Sequence, residues 1–317
     1  MKKAIIYYFS GCGNTKLIAE NVSDKLKNQD FDSCLVNIEN PDINMEKADL
    51  YGFIFPVYGF GLPHMVVKFI NKLPKMQKQK AFMFLTPAGH EGAAIFQGLV
   101  LLKNKGFDVI RAHPVYMPDT WLLAMSAPSD EKFQESYAKS RDKIDKYINE
   151  MLENKKSLSI ANPILIVLLG LINIMFHFIG RHQSGKTFIS NNKCNSCKKC
   201  LKECSSTVIK WQNNKPYWGW NCEQCYRCIN TCPNDAVEIS GFAMLISMSS
   251  IFWAHNTYKL IPDMITQKLN FLSPLPEIII LLLAVFLTMR IAQMIAGLKF
   301  MPKWYLTKTR KRYKINN

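Results

Sequence analysis

Up to about residue 155, short apolar runs alternate with stretches whose apolar residues recur at helical spacing. Ala4–Phe9, Cys34–Ile38, Leu50–Phe55, Ala81–Leu85 and Val109–Met117 are short and apolar, the pattern of strands covered on both faces. Between them, Thr15–Lys27 places Leu17, Ile18, Val22 and Leu26 on one helical face. Pro63–Leu73 predicts a helix opened by proline at its first position, and Ala93–Lys105 predicts another. Ser129–Glu153 is amphipathic, with Phe133, Tyr137, Ile144, Tyr147, Ile148 and Met151 at helical spacing. Ser129 can cap it, ahead of Asp130 and Glu131. Five strands joined by helices imply an α/β fold with a doubly wound parallel sheet. Its ligand should lie beyond the carboxyl ends of the strands. Cys34, inside the second strand, reads as a small buried hydrophobe.

The pattern changes after the polar linker Asn154–Ser157. Ile160–Gly180 is apolar, with His177 as its one ionisable side chain, and reads as a helix packed between domains or lying at an interface. Gly180-Arg181-His182-Gln183-Ser184-Gly185-Lys186-Thr187 matches the expression for a nucleotide-phosphate loop, but that loop needs a strand before it and a helix after it. The preceding apolar run is too long for a strand, so this stretch reads as a basic, flexible link into a short strand. Phe242–Ala254 and Pro276–Leu298 are apolar again, and the tail Lys299–Asn317 is basic and carries no acid. The chain thus divides at about 1–155, 156–187, 188–240 and 241–317. These are an α/β domain, an apolar helical connector, a cysteine-rich domain and a C-terminal hydrophobic helical hairpin with a basic tail.

Composition narrows the classes. Of 317 residues, 48% are hydrophobic and 20% charged, which excludes a disordered or collagen-like chain. The formal net charge is +16 with every thiol neutral. Such a balance suits an anionic membrane surface or an acidic partner protein. No nucleic-acid partner is expected: in the basic tail, Tyr305 and Tyr313 make a poor aromatic platform. The start, Met1 to Cys12, superficially resembles a lipoprotein signal, but its apolar run Ala4–Phe9 is too short and reads as the first strand.

The cysteines carry the strongest signal. Eight of ten fall between residues 194 and 232, as Cys194-x2-Cys197-x2-Cys200-x3-Cys204 and Cys222-x2-Cys225-x2-Cys228-x3-Cys232-Pro233. Each cysteine of the second group lies 28 residues after its counterpart, an internal duplication. Structural zinc favours separated pairs, and adjacent disulfides would be strained. This spacing is that of two [4Fe–4S] clusters, with the fourth cysteine of each group crossing to the other cube. Cys194, Cys197, Cys200 and Cys232 would hold one, and Cys222, Cys225, Cys228 and Cys204 the other. Residues 193–240 resemble bacterial eight-iron ferredoxins, a small α+β fold, although Ser205 stands where that family usually has proline.

After the first strand, Ser10-Gly11-Cys12-Gly13-Asn14-Thr15 leads into a helix. Small residues at such a turn let backbone N–H groups close on a phosphate, and the helix N-terminus favours its charge. Phe9–Thr15 resembles the FMN phosphate loop of flavodoxins, and Phe55–Pro63 is similar to the loop beside their flavin ring. The resemblance implies a flavodoxin-like domain over about 1–155, with Ser10, Gly11, Cys12, Gly13, Asn14 and Thr15 on the phosphate. Pro56, Val57, Tyr58, Gly59, Thr86, Gly89 and His90 would border the ring, with Tyr58 able to stack on it. Cys12 stands where the family commonly has threonine, so one hydroxyl donor is absent. Trp121, after the fifth strand, falls on the same sheet edge.

Together the halves resemble flavodoxin–ferredoxin fusion proteins of anaerobic bacteria and archaea; Lys186-Thr187-Phe188 and Pro216–Trp220 fit that pattern. The resemblance implies an electron carrier that exchanges electrons with a ferredoxin or a flavoprotein. The alternative is a flavin-dependent reductase of a small organic substrate, with His90 or Tyr58 as proton donor. A redox sensor ranks third. Such cofactors imply a cytoplasmic location. The basic tail follows Pro276–Leu298 as the positive-inside rule asks, so the C-terminal segments are expected to anchor the chain to the cytoplasmic face of the membrane. Buried helices of a soluble fusion stay open as the other reading.

Overall fold

A computed structural model of the chain describes residues 1–40, 46–123, 125–246, 249, 283, 287 and 304–313. The first unit runs β1 (Lys2–Tyr8), α1 (Asn14–Lys27), β2 (Phe31–Asn37), β3 (Leu50–Pro56), α2 (His64–Lys72), β4 (Gln79–Thr86), α3 (Ala94–Asn104), β5 (Phe107–Pro114) and α4 (Asp130–Leu152). The strands are parallel in the order β2-β1-β3-β4-β5, which is the flavodoxin-like order. Period-two alternation splits the core. Tyr7, Phe53, Phe55 and Met83 pack under α2 and α3, and Ile6, Ile54, Phe82 and Phe84 under α1 and α4. Every residue of the central strand β3 is buried, which is why it reads as an unbroken apolar run.

Two details depart from the sequence reading. A sixth strand, β6 (Ser157–Leu158), pairs in parallel with Arg111 and Ala112 at the sheet edge. Two residues, the last of the polar linker and one leucine, give no apolar run to find. Arg111 secures this edge from inside the protein, donating to Glu150 Oε2 at 2.9 Å and to the Lys155 carbonyl at 2.9 Å. Cys34 is exposed, not buried, because β2 is the other edge strand and turns that side chain to solvent.

His113 stacks on Tyr147 at 4.2 Å between centroids, and its Nε2 meets Ser157 Oγ at 3.1 Å. Burial, and then the Arg111 guanidinium, hold this imidazole below the usual histidine range. An unfolded chain takes up that proton first as pH falls, so this site costs stability below about pH 6.5. His113→Gln should therefore flatten the fall in melting temperature between about pH 7.5 and about pH 5.5. An unchanged slope in anaerobic melts would assign the acid sensitivity to other groups.

Beyond β6 come α5 (Pro163–Met175), capped by Asn162 Oδ1, a π-helical turn Phe176–Gly180, and α6 (Arg181–Thr187). The last of these corrects the reading of 180–187 as a flexible link: the stretch is helical and runs straight on from the π turn. No strand precedes it, so it is no nucleotide-phosphate loop.

The second unit comprises β7 (Phe188–Ser190), α7 (Lys199–Lys202), β8 (Ile209–Gln212), β9 (Lys215–Trp218), α8 (Arg227–Asn230) and β10 (Val237–Ile239). β7 pairs antiparallel with β10, and β8 with β9 across a turn in which Asn213 and Asn214 both have positive φ. The 28-residue duplication persists in the backbone. Lys198 and Tyr226 precede α7 and α8 with φ of 59° and 57°. Ser196 and Gln224 match at 62° and 54°, and Thr207 and Asp235 at 51° and 49°.

The stretch Trp304–Tyr313 docks on this unit: Leu306 N donates to the Ile239 carbonyl, and Arg312 pairs with buried Glu238 at 3.1 Å. One cation of the basic tail is thus spent inside the protein. Among the described residues, no helix is long and apolar enough to cross a membrane. The expected hairpin, Phe242–Tyr258 with Pro276–Leu298, lies almost wholly outside the described residues.

Candidate functional site

A cavity of about 550 Å³ opens at the carboxyl ends of β1, β3, β4 and β5. Ser10, Gly11, Cys12, Asn14, Thr15, Pro56, Val57, Tyr58, Gly59, Thr86, Gly89 and His90 all line it. Of the expected set, only Gly13 does not. Its left-handed φ of 95° makes the turn into α1, and its N–H donates to Ser10 Oγ at 3.0 Å, closing the loop. Thr15 and Thr86 share a hydroxyl hydrogen bond of 2.7 Å, and Asn14 Nδ2 donates to the Pro118 carbonyl at 2.8 Å. α1 carries no acid in its first turn, so its N-terminus sets no like charge against an anion. Away from this polar end the lining turns apolar and aromatic, with Pro87, Ala88, Met117, Trp121 and Leu123.

Sequence reasoning missed part of the wall. Gln224, Tyr226 and Ile239 of the second unit, Phe176 of the π turn and Met244 also line the cavity. A signal for this exists in the repeat. The counterparts of Tyr226 and Arg227 are Lys198 and Lys199, and only one copy of a duplicated surface keeps solvent-type residues if the other is covered.

Arg227 makes that cover. Its Nε donates to the Gly11 carbonyl at 2.9 Å, and Nη2 to the Ser10 carbonyl at 2.5 Å. The same guanidinium forks onto Glu39, at 2.7 and 2.8 Å, and reaches the Glu203 carbonyl at 2.9 Å. Cys12 completes the contact, donating to the Cys225 carbonyl at 3.0 Å and accepting from Asn230 Nδ2 at 3.2 Å. Burial pushes the Cys12 thiol up to about 12, so it sits as a neutral packing group. A Cβ at Gly11 would collide with the Tyr58 hydroxyl and press on Cys225 at 3.0 Å, so only glycine fits between the units. Tyr58 therefore turns its hydroxyl toward the loop. Burial, and then Cys225 and Cys12, hold that phenol well above its usual range. The loop behind it is held by Asn173 of α5, which donates to the Gly59 carbonyl at 3.0 Å.

The eight clustered cysteines form two sets. Cys194, Cys197, Cys200 and Cys232 line one small cavity together. Cys204 lies in electrostatic range of Cys222, Cys225 and Cys228. In both sets the fourth cysteine crosses between the groups. All ten cysteines are free thiols. Burial raises the Cys200 thiol to about 11, with Cys232 adding to it, and burial likewise raises Cys222, Cys225 and Cys228. Among the described residues, no three His, Cys, Asp or Glu side chains converge tightly enough to chelate one ion. A cube spreads its thiolates wider than a single ion does. The positive-φ residues Ser196, Lys198, Gln224 and Tyr226 recur between the cysteines of both groups. Ala236 N already donates to Cys232 Sγ at 3.2 Å, and Ser205 Oγ, where proline was expected, lies 3.6 Å from Cys225 Sγ.

No family model matches the chain, and no curated protein matches it. Among solved structures, the chain is similar to a flavodoxin of Streptococcus pneumoniae TIGR4, at 18% identity and a TM-score of 0.33, covering 45% of this chain and 97% of that one. A two-electron reduced Megasphaera elsdenii flavodoxin aligns at 22% identity and 0.33, covering 44% and 98%. General stress protein 14 of Treponema denticola, in complex with FMN, aligns at 12% and 0.35, covering 48% and 99%.

Proposed function

We propose that this chain is an electron-transfer protein, with FMN in the sheet-edge cavity and two [4Fe–4S] clusters in the second unit. When bound, the clusters would supply one-electron steps, and FMN would store one or two electrons. The observation that carries the reading is the shared wall: Gln224 and Tyr226, on either side of Cys225, line the same cavity as the phosphate-loop residues Ser10 to Thr15. Residues suited to a flavin and residues suited to a cluster thus meet with no solvent layer between Cys12 and Cys225.

The other cysteine set faces outward. Cys197 is exposed, and so are Lys193, Lys198 and Lys202 around it. Such a rim suits an acidic ferredoxin or flavoprotein, whose approach it would steer. Electrons would then pass between partner and cavity through the exposed set and the covered set in turn. The reductase alternative needs a proton donor facing a substrate. Tyr58 turns its hydroxyl to Gly11 and the covered loop instead, which favours a carrier.

The test is anaerobic. The reduced protein should pass electrons to an acidic ferredoxin at a rate that falls several-fold when salt is raised from about 0.05 to about 0.5 M. Rapid stoichiometric reduction of a small organic acceptor, with no salt-dependent transfer to any redox protein, would favour the reductase.

A further inference from the structure

Helix α5 has its polarity inverted. Its one fully buried residue is the polar Asn173, which holds the 58–59 carbonyls, and His177 on the same side meets the Leu62 carbonyl at 3.2 Å. Ile164, Leu168, Leu171, Met175 and Phe178 follow one another at spacings of four and three, and each is more than half exposed. Val167 extends this stripe. From Pro163 to Gly180 no side chain except His177 carries or gains a charge. A helix that turns its polar groups to protein and its aliphatic groups outward is built for a non-aqueous surrounding.

We propose that this face of α5 lies in the headgroup–acyl boundary of an anionic membrane. Asn173 and His177 tie the opposite face to the first unit, so the helix would lie in the plane of the interface, not across it. Three further observations point to lipid. The second unit's chain departs at Gly241 and returns at Trp304, side by side: Gly241 N donates to the Trp304 carbonyl at 2.8 Å. The sequence between contains the apolar run Ile278–Met289, whose described residues Leu283 and Leu287 are helical and exposed. Phe176, just after α5, and Met244, on the departing segment, line one cavity, so the C-terminal end of α5 and that segment meet at the same cavity. Charge then selects the occupant. A second copy would bring the same positive formal charge, whereas acidic headgroups complement it.

Flotation of the purified full chain tests this with two vesicle types, phosphatidylglycerol/phosphatidylethanolamine and phosphatidylcholine alone. The chain should float at least tenfold better with the first. Leu168→Glu/Leu171→Glu should cut that flotation at least tenfold, and Leu168→Ala/Leu171→Ala, which keeps the helix, should cut it less. Near-ultraviolet circular dichroism matching the parent would show that both variants fold. If the glutamate variant aggregates, the alanine variant decides alone. A photo-crosslinking benzophenone side chain at position 168 of the full chain should give lipid adducts in cells. Unchanged flotation of a folded variant would overturn the proposal. So would crosslinks to residues 276–298 of the same chain, to a second copy or to another protein in place of lipid.

Discussion

Arg227→Gln should loosen the contact between the two units. The substitution removes a guanidinium from between Glu39 and the Ser10 and Gly11 carbonyls, and leaves those three acceptors facing an apolar contact. Breaking a largely buried pair of this kind costs about 3–5 kcal/mol. Because the lost bonds brace the phosphate loop, FMN affinity should fall at least tenfold in a fluorescence titration. Arg227→Lys should not rescue it, since an ammonium cannot fork onto Glu39 while reaching the loop carbonyls. Glu39→Gln keeps the carbonyl bonds and should lose less. A glutamine variant that melts and binds FMN like the parent would mean that Arg227 joins nothing of consequence.

The second large effect separates the clusters. Cys232→Ala and Cys204→Ala should each lower the iron content from about eight to about four per chain, and the loss should cross between groups. Cys232→Ala removes the fourth thiol from the set of Cys194, Cys197 and Cys200, whose surroundings are the exposed lysines. Transfer to an external partner should collapse, while exchange between the remaining cluster and FMN survives. Cys204→Ala strips the covered set beside Cys12, and exchange with FMN should collapse instead. If Cys232→Ala abolished internal exchange and spared the external step, the crossed assignment would be wrong.

Much of this was legible in the chain because local chemistry dictated it. β3 reads as a strand since burial on both faces demands an unbroken apolar run, and the Gly11–Thr15 turn shows itself through small residues ahead of a helix. The cysteine spacing foretold which sulfurs lie near one another: Cys194, Cys197 and Cys200 with Cys232, and Cys222, Cys225 and Cys228 with Cys204. Three features were not legible, each for a physical reason. β6 has two residues and borrows its stability from Arg111. Cys34 lies in an apolar run, but edge position is a property of the whole sheet. Tyr58 sits at the expected loop, yet its direction is set by Gly11 and Cys225, from parts of the chain 47 and 167 residues away. The wall formed by Gln224, Tyr226 and Phe176 is likewise a product of docking between units. The contrast between Tyr226-Arg227 and Lys198-Lys199 is the one trace that docking leaves in the sequence.

The proposed carrier needs one chain to hold a flavin and two clusters. Anaerobic purification with iron, acid-labile sulfide and released FMN counted per chain tests it most directly. About eight irons, about eight sulfides and one FMN per chain are expected. Fewer than four irons after reconstitution, or zinc in their place, would contradict it.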